Sequence, residues 1–161
     1  AGEIGHMKIA LDGPRCACGR HGCLEAFIGT ASVLRQARAA IRRGRRRLQR
    51  LAEAHAGRLT PELVCRAATA GDRAALQIWE TFGHHLGLGL ANVVNLLNPE
   101  RIIIGGGLAD AWPLFIGRLT ATVRRQAFDA PGRALRIVRG RLGSRAGIIG
   151  GAILVWEQQK G

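Results

Sequence analysis

The chain has 161 residues, which is enough for one domain with its own core or for one lobe of a larger protein. Hydrophobic residues make up 47% of it, and 24 lysines and arginines outnumber 11 aspartates and glutamates, for a formal charge of +13. The apolar content excludes an intrinsically disordered chain, and no apolar run approaches the ~20 residues that a membrane-spanning helix needs.

The positive charge raises the question of a polyanionic partner. Arginine is spread along predicted helices, lysine is nearly absent, and alanine and glycine abound, which indicates a general compositional bias with solvated helix faces. Clustering of basic residues on one face, rather than net charge, is what indicates nucleic-acid binding. The opening AGEIGHM lacks the basic start and apolar run of a signal peptide, so we expect a cytoplasmic protein. In that reducing compartment, clustered cysteines favour a metal over disulfides.

The first predicted elements are a short strand and a cysteine-rich loop. Residues 7–11, MKIAL, are apolar enough for a strand, and the turn residues Asp-Gly-Pro end it. The loop GPRCACGRHGCLEA, residues 13–26, then places three cysteines within eight positions. From Leu24 to about Arg43 apolar residues recur at helical spacing, which predicts an amphipathic helix.

An arginine-rich run and two helix starts follow. The run RRGRRRLQR, residues 42–50, is typical of a solvated helix end or an exposed connector, although it could also contact phosphates. Thr60-Pro61-Glu62 predicts a helix start, because a capping hydroxyl precedes a proline and an acid in the first turn. Asp72 predicts the start of a second helix, and Asn98-Pro99 predicts its end.

That second helix has one predicted buried face and three glycines. The glycines at 83, 87 and 89 would destabilise an isolated helix, so they indicate close approach of another helix. The apolar residues of the face recur every three or four positions: Trp79, Phe82, Leu86, Leu90, Val93 and Leu97.

The last third alternates strands and helices. Residues 101–107, RIIIGGG, predict a buried strand that ends in a flexible glycine turn. A helix from about Pro113 to Phe128, a strand over 134–139 and a closing helix from Ala146 to Gln158 come next. Together these elements predict an α/β lobe.

The cysteine loop is a candidate zinc site. Tetrahedral zinc takes four nitrogen or thiolate ligands, of which Cys16, Cys18 and Cys23 supply three. Spacing alone leaves the fourth ligand open between His6 and His21. Cys65 lies between apolar neighbours in a predicted helix, where a free cysteine usually acts as a small hydrophobic residue.

These motifs resemble the signature of the ROK family, which comprises repressors, open reading frames and sugar kinases such as bacterial glucokinases. GEIGHM is similar to the family's Glu-x-Gly-His segment, and GPRCACGRHGCLEA to its Cys-x-Cys-Gly-x-x-Gly-Cys-x-Glu pattern, with every fixed position present. LLNPERIIIGGGLAD and SRAGIIGGAIL resemble later segments of the family, so the resemblance covers essentially the whole chain. Because the chain opens at Ala1 and its one methionine, Met7, lies inside a patterned segment, we expect the later part of a longer protein.

The resemblance implies a fold and a set of site residues. The fold is the C-terminal lobe, over residues 1–161, of the actin-like ATPase and sugar kinase (ribonuclease H-like) fold. A closing helix within residues 146–161 would pack toward an N-terminal lobe. The metal ligands of a structural zinc would be His6, Cys16, Cys18 and Cys23. The residues facing the sugar would be Glu3, His6 and Glu25. The nucleotide-binding turn would be Gly105, Gly106 and Gly107.

The implied function is ATP-dependent, Mg²⁺-assisted phosphorylation of a hexose, as in a glucokinase. In the family's kinases the catalytic aspartate precedes the Glu-x-Gly-His motif, so we expect no catalytic residue in this chain and no phosphoryl transfer by it alone. The alternative is a sugar-sensing repressor, in which an upstream helix-turn-helix binds DNA and the sugar is an inducer. A purely structural zinc lobe is disfavoured, because a zinc site needs neither Glu3 nor Glu25. Apolar faces on 31–43 and 72–97 also predict a homo-oligomer, a dimer or tetramer.

Overall fold

A computed structural model describes residues 2–159. The elements in that range are mostly helical, and two short strands make the fold mixed α/β. The helices are α1 Leu24–Ile28, α2 Thr30–Arg42, α3 Arg46–Glu53, α4 Pro61–Thr69, α5 Arg73–Leu97, α6 Trp112–Gln126, α7 Asp129–Ala134 and α8 Ala146–Gln158. The strands are β1 Arg101–Ile104 and β2 Arg136–Arg139. Short 3-10 turns span Ile4–His6, Gly107–Ala111 and Gly143–Arg145.

Helix α5 is the centre of the core, and its predicted ends are confirmed. The carboxylate of Asp72 accepts a hydrogen bond from the N–H of Ala75 at 2.8 Å, which caps the first turn. Asn98 takes a left-handed conformation (φ 43°) and ends the helix before Pro99. Helices α1, α2, α4 and α6 pack around it.

The predicted apolar face of α5 is buried over most of its length. Trp79, Phe82, Leu86 and Leu90 are buried as expected. Towards the end of the helix the prediction is wrong, because Val94 is buried in place of Val93 and Leu97 is 69% exposed. The face ends one turn early since the last turn of α5 extends beyond the helices that cover it.

The close approach predicted from the glycines of α5 is confirmed. A Cβ on Gly83 would lie 2.5 Å from the carbonyl oxygen of Phe115 on α6, and a Cβ on Gly89 would lie 2.5 Å from the side chain of Leu24 on α1. Gly87 is equally crowded against α6. These contacts leave no room for a side chain.

The helix predicted over 24–43 is in fact two helices. Gly29 adopts an extended conformation (ψ 161°) between α1 and α2, and a Cβ there would lie 2.8 Å from the carbonyl oxygen of Glu25. The run 42–50 is exposed as predicted, but it is not only a connector. Helix α3 starts within it, since Leu48 is fully buried and fixes that segment against the core.

The predicted strand over residues 7–11 is wrong. These residues form only an isolated antiparallel bridge, between Lys8 and Cys23, and Leu11 is 91% exposed. Within residues 2–159 no strand lies beside this segment to extend it into a sheet. Its backbone bonds to the end of the cysteine loop, where the N–H of Ile9 donates to the carbonyl of Gly22. The helix start at Thr60 is confirmed, because its hydroxyl accepts from the N–H of Leu63.

Strands β1 and β2 are confirmed and pair in parallel, with Arg101 opposite Arg136 and Ile104 opposite Arg139. The expectation of a buried strand is wrong for β1, since Ile103 is 66% exposed and Ile102 and Ile104 are only partly buried. Helix α6 connects the strands as predicted. The short helix α7 that follows it was not predicted, because its sequence, DAPGRA, carries a proline and a glycine.

Helix α8 is confirmed within the described residues, and residues 160–161 of the predicted closing segment lie outside them. It exposes a largely apolar surface that includes Ile148, Leu154 and Trp156. The apolar faces of α2 and α5, on which the expected homo-oligomer rested, are mostly covered inside the chain except at the last turn of α5, and oligomerisation remains a prediction. None of the helices over residues 2–159 is long and apolar enough to span a bilayer.

Candidate metal centre

The cysteine loop folds as a tight hairpin that gathers its thiols. The N–H of Ile9 donates to the carbonyl of Gly22 at 2.9 Å, and the N–H of Cys16 donates to the carbonyl of Arg20 at 2.7 Å. Gly22 has φ +71°, and a Cβ there would lie 1.7 Å from the carbonyl oxygen of Ala10. Only glycine fits this position, so the chain can fold back on itself here.

Four ligand atoms converge at this hairpin. The nitrogen of His6 and the sulfurs of Cys16, Cys18 and Cys23 all lie within 4.8 Å of one another. The Cys16 sulfur is 3.6 Å from His6 Nδ1, and the Cys18 and Cys23 sulfurs are 3.7 Å apart. A tetrahedral zinc site requires about 3.6 Å between sulfur and nitrogen and about 3.8 Å between two sulfurs. Two of the distances thus match a zinc site, and the longest separation of up to 4.8 Å would need to shorten by about 1 Å when the ion binds.

The structure brings His6, rather than His21, to the three sulfurs. His21 is exposed and takes part in the hairpin through its backbone, where its carbonyl accepts a hydrogen bond from the Lys8 ammonium. Cys65 lies apart on α4, and burial raises the pKa of its thiol, as expected for a packing residue. The choice between His6 and His21 that spacing left open is thus decided by the fold.

The electrostatics of the hairpin favour a thiolate at Cys18 and disfavour one at Cys16. The backbone N–H of Arg20 lowers the pKa of the exposed Cys18 thiol to about 7, against the opposing effect of burial. The backbone N–H of Cys18 lowers the pKa of Cys16, but burial and the neighbouring thiols raise it more, so the net shift is upward. The Lys8 ammonium lies 3.4 Å from the Cys23 sulfur and offsets its negative charge.

Two carboxylates flank the imidazole of His6, one near each ring nitrogen. The Glu3 carboxylate is 3.9 Å from His6 Nε2, and the Glu25 carboxylate is 3.5 Å from His6 Nδ1. Glu25 is held by the first turn of α1, and its side chain is 51% exposed, whereas that of Glu3 is 80% exposed. Two open carboxylates around one imidazole can accept hydrogen bonds from a polyhydroxylated ligand.

The glycine turn lies at the carboxyl end of β1. Gly106 has φ +86°, which explains glycine at that position alone. A Cβ on Gly105 or Gly107 would meet no atom within 4 Å, so crowding inside the described chain does not require glycine there. The open backbone leaves space for a ligand to approach closely.

Two pockets adjoin this turn. One, with a volume of about 380 Å³, is mostly apolar, and its lining includes Glu25 and Gly105. The second, of about 210 Å³, lies between α4, α5 and the turn, where Cys65, Trp79 and Gly107 contribute to its lining. The indole N–H of Trp79 is buried and has no hydrogen-bond acceptor within residues 2–159.

Sequence reasoning missed two features of this region. The first is Lys8, whose signal was a lysine within the motif of a chain that otherwise uses arginine. The second is the pocket beside Trp79, which had no sequence signal because it forms where α4 and α5 meet the glycine turn. The expectation that no aspartate of this chain is the general base came from the family resemblance. In the fold, the Asp110 carboxylate is paired with Arg139 and that of Asp129 with Arg133.

A family model described as the ROK family matches residues 1–158. The glucokinase of Halalkalibacterium halodurans is 35% identical over 99% of this chain and 48% of its own length. The DNA-binding transcriptional dual regulator NagC of Escherichia coli is 32% identical over 91% of this chain and 35% of its own length. Sugar kinases and DNA-binding regulators are thus both similar to this chain.

Solved structures give the same picture. A ROK family glucokinase from Streptomyces griseus, in complex with glucose and AMPPNP, superposes with a TM-score of 0.83 at 28% identity, over 96% of this chain and 51% of that protein. A ROK hexokinase from Thermus thermophilus has a TM-score of 0.69 at 26% identity, over 100% of this chain and 49% of its own. These likenesses confirm the expected sugar-kinase fold. The chain spans about half of these kinases and a smaller part of the regulators.

Proposed function

Because this chain belongs to the ROK family, we propose that it provides the hexose site and part of the ATP site of a sugar kinase of the glucokinase type. The observation that carries the proposal is the pocket of about 380 Å³, whose lining includes both Glu25 and Gly105. One carboxylate suited to a sugar and a glycine suited to close approach of phosphates therefore border one cavity. Such adjacency is what transfer of a phosphoryl group from nucleotide to sugar requires.

The sugar would be held by Glu3, His6 and Glu25. The two carboxylates accept hydrogen bonds from sugar hydroxyls, and the imidazole donates one through its Nε2–H. Glu25 is anchored by α1, which packs on α5 through Leu24, so its position is tied to the core. The resulting site favours a ligand with several adjacent hydroxyl groups.

Zinc, held by His6 and the three cysteines, would act as a structural brace. Four protein ligands leave no open coordination position, so it supplies rigidity rather than Lewis-acid chemistry. With Nδ1 directed at the sulfurs, the proton of His6 is fixed on Nε2, which is the nitrogen that remains for the sugar. The Lys8 ammonium balances the net negative charge of three thiolates around a divalent ion.

ATP would lie over the glycine turn. Open backbone at Gly105 and Gly107 lets phosphates and the Mg²⁺ that accompanies them approach, and the pocket beside Trp79 offers an apolar slot for the base. No aspartate of this chain is proposed as the general base. That group would belong to the part of the kinases that this chain does not span, so the chain alone is expected to bind ligands without transferring phosphate.

Calorimetry with glucose tests the sugar site. Glu25→Gln keeps the shape of the side chain but removes its charge, so we expect sugar affinity to fall at least tenfold while zinc content by mass spectrometry stays at one equivalent. Glu80→Gln, on the exposed face of α5, is the matched control and should leave both unchanged. Equal sugar binding by the two variants would refute the assignment.

A sugar-sensing repressor is the second candidate, favoured by the 32% identity to NagC and by the 34% identity to the transcriptional repressor Mlc of the same organism. The two functions differ in their need for ATP. A kinase lobe should bind a non-hydrolysable ATP analogue and lose it in Gly105→Val, while the control Gly117→Val, also in open space, retains it. Sugar binding without any nucleotide binding would favour the repressor.

A further inference from the structure

The arginine-rich run forms an ordered corner between α2 and α3. Gly44 follows α2 with φ +80°; its N–H donates to the carbonyl of Ile41, and the N–H of Arg45 donates to that of Ala40. This pair of bonds is the Schellman arrangement that closes a helix and fixes the direction of the exit. The side chains at the corner are therefore presented on a defined backbone rather than on a loose loop.

Seven exposed guanidinium groups lie on this corner, and we refer to them as the arginine corner. None of them has a hydrogen bond or ion pair from its side chain to any residue in 2–159, whereas Arg35 and Arg139 do have such partners. Its members are Arg38, Arg42, Arg43, Arg45, Arg46, Arg47 and Arg50. Most other arginines of residues 2–159 also have no such partner, so what distinguishes this region is density: seven arginines fall within residues 38–50, with no aspartate or glutamate among them.

The start of α3 is electrostatically unfavourable as it stands. Arg45 occupies the capping position without a side-chain hydrogen bond, and the first turn holds no acidic residue. Cations at the positive end of a helix dipole are unfavourable, so three arginines here oppose the helix. Burial of Leu48 and Ala52 keeps α3 in place despite this cost. An anion at the corner would remove the conflict and could accept from the free backbone N–H groups.

We propose that the arginine corner binds the phosphate backbone of duplex DNA. Insertion into a membrane is disfavoured, because the apolar side of α3 already packs on the core, and attraction to anionic headgroups alone is distinguished by the vesicle measurement below. Single-stranded nucleic acid is disfavoured, because residues 38–50 contain no aromatic side chain on which bases could stack. The arginine corner suits the regularly spaced phosphates of a duplex, which it would contact without touching the bases. This inference goes beyond the proposed sugar-kinase function and does not depend on it.

Fluorescence anisotropy with a labelled duplex of about 20 base pairs tests the proposal, at salt concentrations from about 50 to 200 mM. The variant is Arg45→Gln, Arg46→Gln and Arg47→Gln together, since glutamine keeps helix propensity. We expect affinity at low salt to fall at least tenfold and the slope of log affinity against log salt to decrease by about 2.7, or 0.9 per phosphate contact.

The matched control removes the same charge from another face. Arg118→Gln, Arg124→Gln and Arg125→Gln together alter exposed positions on α6 and should change DNA affinity less than threefold. Equal losses in the two triple variants would overturn the proposal, because net charge alone would then explain binding. Tighter binding to single strands, or equal binding to vesicles of phosphatidylserine, would also overturn it. Glucose calorimetry on both variants separates this outcome from failure of the sugar site.

Discussion

Replacement of Gly22 by alanine should destroy the metal centre without unfolding the core. Gly22 has φ +71°, which costs a residue with a Cβ about 1–3 kcal/mol. The added Cβ would also lie 1.7 Å from the carbonyl oxygen of Ala10, where contacts under 3.0 Å essentially never occur, so one group must move by more than 1 Å. That movement breaks the hydrogen bonds of Gly22 with Ile9 and Pro14, which hold the hairpin closed.

Gly19→Ala is the control that isolates the clash. Gly19 lies in the same hairpin with φ +84°, but a Cβ there would meet no atom within 4 Å. The alanine variant therefore has only the cost of the left-handed backbone. If that cost is about 1.4 kcal/mol, zinc affinity falls about tenfold. Gly22→Ala should lose at least 100-fold.

Zinc affinity is measured by competition with a chromophoric chelator, and the core is followed by urea unfolding. We expect both variants to unfold with midpoints close to that of the parent protein once metal is removed, because neither glycine contacts α5. Zinc affinities within threefold of each other for the two variants would refute the argument from crowding. A parent protein that binds no zinc would refute the metal centre itself.

Three further predictions concern packing, pH and charge. Gly83→Ala should lower the free energy of unfolding by about 2–4 kcal/mol in urea titrations, because its Cβ meets the backbone of α6. Gly117→Ala, in open space on α6, should instead be neutral or stabilising, and equal effects would contradict the packing. Burial lowers the pKa of His85 below its usual 6.5, so the folded chain binds a proton less readily than the unfolded one. Stability should therefore be full above pH 6.5 and fall as the pH drops below it, and a urea midpoint that rises on acidification would contradict this. Lys8→Met should weaken zinc binding about tenfold by removing the ammonium beside the Cys23 sulfur, and unchanged affinity would show that this contact does not matter.

Local chemistry made several features predictable from sequence. The side chains of Thr60 and Asp72 accept hydrogen bonds from backbone N–H groups three residues later. These caps therefore depend on local sequence and not on how the helix packs. The strand β1 and the glycine turn after it were found for the same reason. The break at Gly29 was missed, because apolar periodicity continues across it while its extended backbone depends on contact with Glu25.

Contacts between segments that are far apart in the chain could not be predicted from the spacing of residues. Residues 7–11 have the composition of a strand, yet a strand exists only with a partner, and in residues 2–159 that segment pairs with the cysteine loop. The pocket beside Trp79 likewise depends on how α4 and α5 meet the glycine turn. Its unpaired indole N–H is a property of packing that no motif encodes.

The sequence by itself determined that three thiols and two candidate histidines lie near a zinc-compatible loop, because ligand types and glycine spacing are written in the chain. Spacing left the choice between those histidines open, the family resemblance implied His6, and the tertiary structure places His6 beside the sulfurs. It carries His6 back across the strand-like segment to within 3.6 Å of the Cys16 sulfur and turns His21 outward. It also placed Glu25 and Gly105 on one pocket, although 79 residues separate them from one another in the chain, counting Ala26 to Ile104. The physical reason is that the burial of α5 among four other helices fixes where the ends of the remaining segments meet.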